Sequence, residues 1–77
     1  MTLNVRWVGR AEVSTALETL PPNSANVGPD PGLGVRQGVF FTFADEYHAA
    51  WGNDDWVFVL SASTDAARRA FLAAYGY

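Results

Sequence analysis

Ala44-Asp45-Glu46-Tyr47-His48-Ala49-Ala50-Trp51, followed by Gly52-Asn53 and Asp54-Asp55, is the stretch whose reading decides the fold. Counted from Phe43, its large apolar residues recur at Phe43, Tyr47, Ala50 and Trp51, the i, i+4, i+7, i+8 spacing of one helix face. Thr42 with Asp45 three residues later has the form of a capping box, and Gly52-Asn53 is a stop signal. The spacing predicts a short helix over 44–51. With a helix there, the strand-like segments on either side belong to a three-stranded sheet.

Upstream, Val35 to Phe43 reads as a strand, with Val35, Gln37, Val39, Phe41 and Phe43 on one face and Arg36, Gly38, Phe40 and Thr42 on the other. Downstream, Trp56-Val57-Phe58-Val59-Leu60 is apolar throughout, as expected of a central strand covered on both faces. Leu3 to Val8 alternates Leu3, Val5 and Trp7 with Asn4 and Arg6, a half-buried strand ending at Gly9-Arg10. Val13, Ala16, Leu17 and Leu20 then form one helical stripe, closed by Pro21-Pro22, since proline cannot donate a helical hydrogen bond.

Residues 21–34 hold all four prolines and three of the seven glycines and read as one long, semi-rigid loop. At the other end, Ser63 or Thr64 caps a last helix, Asp65 suits its positive start and Gly76 its exit. Ala67, Ala70, Phe71, Ala74 and Tyr75 are its expected buried stripe. The chain thus reads as a single small domain over 1–77, α/β or α+β, in the order strand, helix, loop, strand, short helix, strand, helix. Whether strands two and three run parallel is open from the sequence.

The chain has 77 residues, enough for one core and no second domain. A chain of this length buries only about 60% of its unfolded surface. There is no cysteine, so no disulfide supports it. No apolar run approaches the roughly 20 residues of a membrane helix. The start, Met1-Thr2-Leu3-Asn4-Val5-Arg6, lacks a basic segment followed by an apolar one, so the expected location is the cytoplasm. The net charge is −3, and all five basic residues are arginine. That balance disfavours direct binding of nucleic acid, which draws on clustered basic residues.

Chemistry-bearing sets are sparse. No cysteine nucleophile and no lysine for a Schiff base are present, and the one histidine, His48, has no serine partner in a nucleophile motif. Asp45 and His48 would share a face of the expected helix, and Asp54 or Asp55 could join them, but metal sites of that kind normally carry more His or Cys. Gly28-Pro29-Asp30-Pro31-Gly32-Leu33-Gly34 lacks the Gly-Lys-Ser/Thr ending of a phosphate loop and precedes a strand. No catalytic residue, metal or cofactor is expected.

Two features point instead to binding. Asp45, Glu46, Asp54, Asp55 and Asp65 fall in a stretch, Gln37 to Ala67, without Arg or Lys, and a field of one sign favours an oppositely charged partner. Aromatic residues make up 14% of the chain, more than a small core needs, and Tyr and Trp serve as interface anchors. The residues singled out for partner binding are Phe40, Asp45, Glu46, Trp51, Asp54, Asp55 and Trp56.

Gly38 to Thr42, then Ala44 to Gly52, then Trp56 to Leu60 resembles the strand–helix–strand cadence midway through ADP-ribosyltransferase and RNA 2′-phosphotransferase folds. That resemblance implies an NAD-binding remnant, although the nicotinamide-gripping His or Arg and the catalytic Glu of those families have no counterpart here. The leading expectation is a small non-enzymatic interaction protein that binds a larger protein or assembly through an acidic, aromatic face suited to a basic surface. Phage and mobile-element inhibitors, anti-CRISPR proteins among them, share this physical profile. A structural homo-oligomeric subunit is the alternative within the binding class.

Overall fold

The computed structural model describes residues 1–77. Its elements are β1 (Thr2–Trp7), a 3-10 turn (Arg10–Glu12), α1 (Val13–Glu18), β2 (Ala25–Gly28), a second 3-10 turn (Pro31–Leu33), β3 (Gln37–Phe43), β4 (Glu46–Asn53), β5 (Trp56–Ala62) and α2 (Asp65–Ala74). The strands form one five-stranded sheet in the order β1-β5-β4-β3-β2, every neighbouring pair antiparallel. The α+β class agrees with the sequence reading, but the three-stranded sheet does not.

Two strands account for the difference. Residues 44–51 are not a helix: β4 runs between β3 and β5, joined to each by a two-residue hairpin, Phe43 pairing with Glu46 and Asn53 with Trp56. β3 and β5 flank β4 within the sheet, and helices lie over its two faces: α2 over Tyr47, Ala49 and Trp51, α1 over the face of His48, Ala50 and Gly52. A strand covered on both faces loses the polar alternation that would mark it, and the chance helical spacing of Tyr47, Ala50 and Trp51 stands in its place. The second unexpected strand, β2, lies inside the segment read as loop and pairs with β3 through a shifted register.

Strand parity divides the sheet into two faces. On the α2 face, Leu33, Phe40, Ala49, Trp51, Phe58, Leu60 and Leu72 form the main core, with Leu3, Phe71 and Tyr75 packed against it. Trp51 stacks on Phe58 at 5.3 Å between centroids. Gly38 makes room for Trp51, because a Cβ there would come within 2.8 Å of the Trp51 Cβ.

Thr64 caps α2, its Oγ1 accepting from the Ala67 N–H at 3.1 Å. The buried stripe of α2 differs from expectation: Arg68 and Leu72 are buried, and Ala70 and Ala74 face solvent. Arg68 lies 3.9 Å above the Phe40 ring and donates to the His48 carbonyl at 2.8 Å and to Asp65 Oδ1 at 2.5 Å. With its charge paired and its plane stacked, a buried guanidinium is tolerated. At the far end of α2, Arg36 rather than Gly76 closes the helix, donating to the carbonyls of Leu72 at 3.0 Å, Tyr75 and Tyr77. It thereby satisfies groups that a helix end leaves without partners.

The other face is covered by α1 alone, six residues long. Val13 sits directly on Gly52, where a Cβ would meet Val13 Cγ1 at 2.3 Å. So short a helix cannot roof five strands, and a cleft stays open beside it.

Candidate functional site

The hairpins separate the acidic residues that the sequence places close together. Asp45 and Glu46 stand at one end of β4, and Asp54 and Asp55 at the other, a strand length of about 25 Å away. Asp54 is engaged by Arg10 in an exposed ion pair, and that contact raises the Arg10 pKa further above its ordinary value, the Asp54 hydrogen bond being the main cause. Asp65 belongs to α2, where Arg68 first and Arg69 second hold its carboxyl below the usual range. Of the aromatic candidates, Phe40 and Trp51 are core residues, buried beneath α2 and unavailable to a partner in this fold. Trp56 is exposed.

Trp56 does not stand alone. Its register partner on β1 is Trp7, and Val5 lies on the same sheet face opposite Phe58. Trp7 is 61% exposed, Val5 47% and Trp56 44%. The three line the corner of the α2 face that α2 does not reach, with the Asp54-Asp55 turn at its rim. The alternation puts Leu3, Val5 and Trp7 on one face of a half-buried strand; the aromatic surplus is a signal for Trp7 alone, and nothing in the sequence marks Val5 as exposed, which depends on which strand forms the edge.

β1 is that edge, with no strand on its outer side. Edge strands are normally blunted by charge, proline, bulges or shortness. β2, the other edge, is four residues long and irregular. β1 has six residues in unbroken register, no proline and a single charge, Arg6.

The second site is the cleft beside α1, about 600 Å³ in volume. Its floor comprises Phe41, Ala50, Val57 and Val59, its opposing wall Ala16 of α1 with Leu20 and Pro21 just beyond it, its β1 rim Asn4, Val5 and Arg6, and its other polar groups Thr19, His48 and Ser61. His48 is not paired with Asp45, as the helical reading suggested, but with its cross-strand neighbour Ser61, Oγ to Nδ1 at 2.9 Å. Its Nε2 lies 3.3 Å from the Phe43 carbonyl oxygen, and its ring stacks on Phe41 at 4.8 Å. The tautomer protonated on Nε2 satisfies both contacts, donating to the carbonyl and accepting from the hydroxyl. The serine partner that no sequence motif revealed is thus supplied by register.

Asp30 and Arg69 make a third charged set, at the base of the 3-10 turn. Arg69 grips both carboxylate oxygens at 2.6 and 2.9 Å. Together with the Gly32 N–H, it lowers the Asp30 pKa to about 2. This pair fastens the proline- and glycine-rich segment to α2.

Comparison with known proteins yields no match, whether to a family model, a curated protein or a solved structure. No helix of the chain is long and apolar enough to cross a membrane.

Proposed function

We propose that this protein acts by stoichiometric binding to a larger protein or assembly rather than by turnover, through the corner formed by Val5, Trp7 and Trp56. The observation that carries the reading is the grouping of three exposed apolar side chains, Val5 and Trp7 on an unblunted edge strand and Trp56 beside them on β5. A monomer gains nothing by leaving two neighbouring indoles in water, and such rings are the usual anchors of interfaces. Asp55 and Asp54 at the rim favour a partner with basic groups around an apolar pocket, though Arg10 offsets part of that charge. Asp45 and Glu46, at the opposite end, lie outside this surface. Inhibition of a larger machine, of the phage or mobile-element kind, is one form such binding takes.

The test is affinity capture from host cells with three baits: the native chain, W7S/W56S, and D45N/E46Q as a control at the far end. The expected result is a species retained by the native chain and the control and lost from W7S/W56S, with all three baits folded by circular dichroism. Retention by W7S/W56S removes the corner from consideration.

A second reading rests on β1 itself. A two-fold pairing of β1 with β1 of another copy, centred on Val5, would set Leu3 against Trp7 and Asn4 against Arg6, with no like charges opposed. Light scattering at micromolar concentration separates the readings: a dimer lost in W7S/W56S supports self-association, and a monomer leaves the corner to another protein.

A further inference from the structure

We propose that the cleft beside α1 is a binding site for a small amphipathic carboxylate, its apolar body on the β4–β5 floor and its charge on Arg6. Arg10 pairs with Asp54, Arg68 with Asp65, and Arg69 with Asp30 and Asp65. Arg36 is spent on the carbonyls of Leu33, Leu72, Tyr75 and Tyr77. Arg6 alone has neither an ion pair nor a hydrogen bond, and it stands at the cleft.

The cleft wall contains no Asp or Glu, in a chain that carries eight of them. Arg6 is therefore the one Arg, Lys, Asp or Glu side chain that lines it. Asn4 lies two residues from Arg6 on the same face of β1, so an amide donor and a guanidinium fork flank one position at the mouth. A carboxylate accepts from both kinds of donor, and Arg matches its planar shape. Ala50 and Val57 below are buried, Val59 is half-buried, and Ala16, Leu20 and Pro21 form the opposing wall. About 600 Å³ falls in the range of small-molecule sites, which are mostly apolar with a few placed polar groups. Trp7 and Trp56 lie on the opposite sheet face; of the proposed protein interface only Val5 also borders this cleft.

Decanoate is the probe, with 1-decanol as the uncharged control, each followed by amide chemical shifts of the isotopically labelled native chain. The expected result is saturable binding of decanoate in the sub-millimolar range, with shifts concentrated at Arg6, Ala16, Ala50, Val59 and Ser61. R6Q, at an exposed position, is expected to keep its melting temperature and lose about tenfold in decanoate affinity, the scale of one charge-assisted contact. Decanol binding should be the same in both chains. Equal decanoate affinity in R6Q, shifts centred on Trp7 and Trp56, or no saturation at millimolar decanoate would each overturn the proposal.

Discussion

Trp7 and Trp56 face each other across β1 and β5 and are both exposed, whereas Trp51, on the same sheet face, is wholly enclosed by Phe58, Tyr75 and the Arg36 guanidinium. The three indoles should therefore separate cleanly by fluorescence. Acrylamide should quench most of the native emission. In W7F/W56F, the remaining Trp51 emission should shift to shorter wavelength and resist quenching. Ready quenching of Trp51 in that variant would mean that α2 does not cover the sheet as described.

The contact of Val13 with Gly52 fixes where α1 lies, and with it the shape of the cleft. G52A introduces a methyl group at 2.3 Å from Val13 Cγ1. Overpacking of this kind costs about 1–3 kcal/mol, to be read by urea denaturation. V13A in the same chain should recover part of that loss, a coupling that a double-mutant cycle isolates. Strict additivity of the two substitutions would show that α1 is not seated on Gly52.

Acid should loosen the loop before the sheet. The Arg69 fork and the Gly32 N–H hold the Asp30 carboxyl at about 2, below its ordinary 3.8. A carboxylate with a depressed folded-state pKa stabilises the fold fully above the unfolded value, about 4, and loses that contribution as pH falls towards the folded value. D30N should melt below the native chain at pH 6, and the two melting temperatures should converge between about pH 4 and pH 2. A gap that stays constant over that window would assign the stabilisation to packing instead of charge.

Legibility in the sequence followed local self-sufficiency. β1, β5 and α2 announced themselves because alternation, an unbroken apolar run and a Thr64 cap are properties of adjacent residues. β4 did not, since its strand character comes from burial on both faces by segments far along the chain. Among the site residues, Asp55 and Trp56 were readable as turn and aromatic. The exposure of Val5 and Trp7 depends on α2 stopping short of the edge, and the burial of Phe40 and Trp51 on its covering the centre. Nothing local encodes either. Arg6 is locally indistinguishable from any surface charge, and only the partners of the other four arginines set it apart.

The Ala44-Asp45 turn provides the sharpest check on β4. Ala44 and Asp45 both take positive φ, 52° and 63°, as the favoured two-residue hairpin requires, yet neither is the Asn-Gly such turns prefer. Each non-glycine residue held there costs about 1 kcal/mol or more. A44N/D45G should therefore raise stability by about 1 kcal/mol, read as a higher urea midpoint with an unchanged slope. A helix beginning at 44 predicts the opposite sign, because glycine and asparagine in its first turn would weaken it by about 1 kcal/mol. One denaturation curve thus decides between the strand and the helix at the centre of the chain, and with it whether Trp51 can lie inside and Trp56 outside.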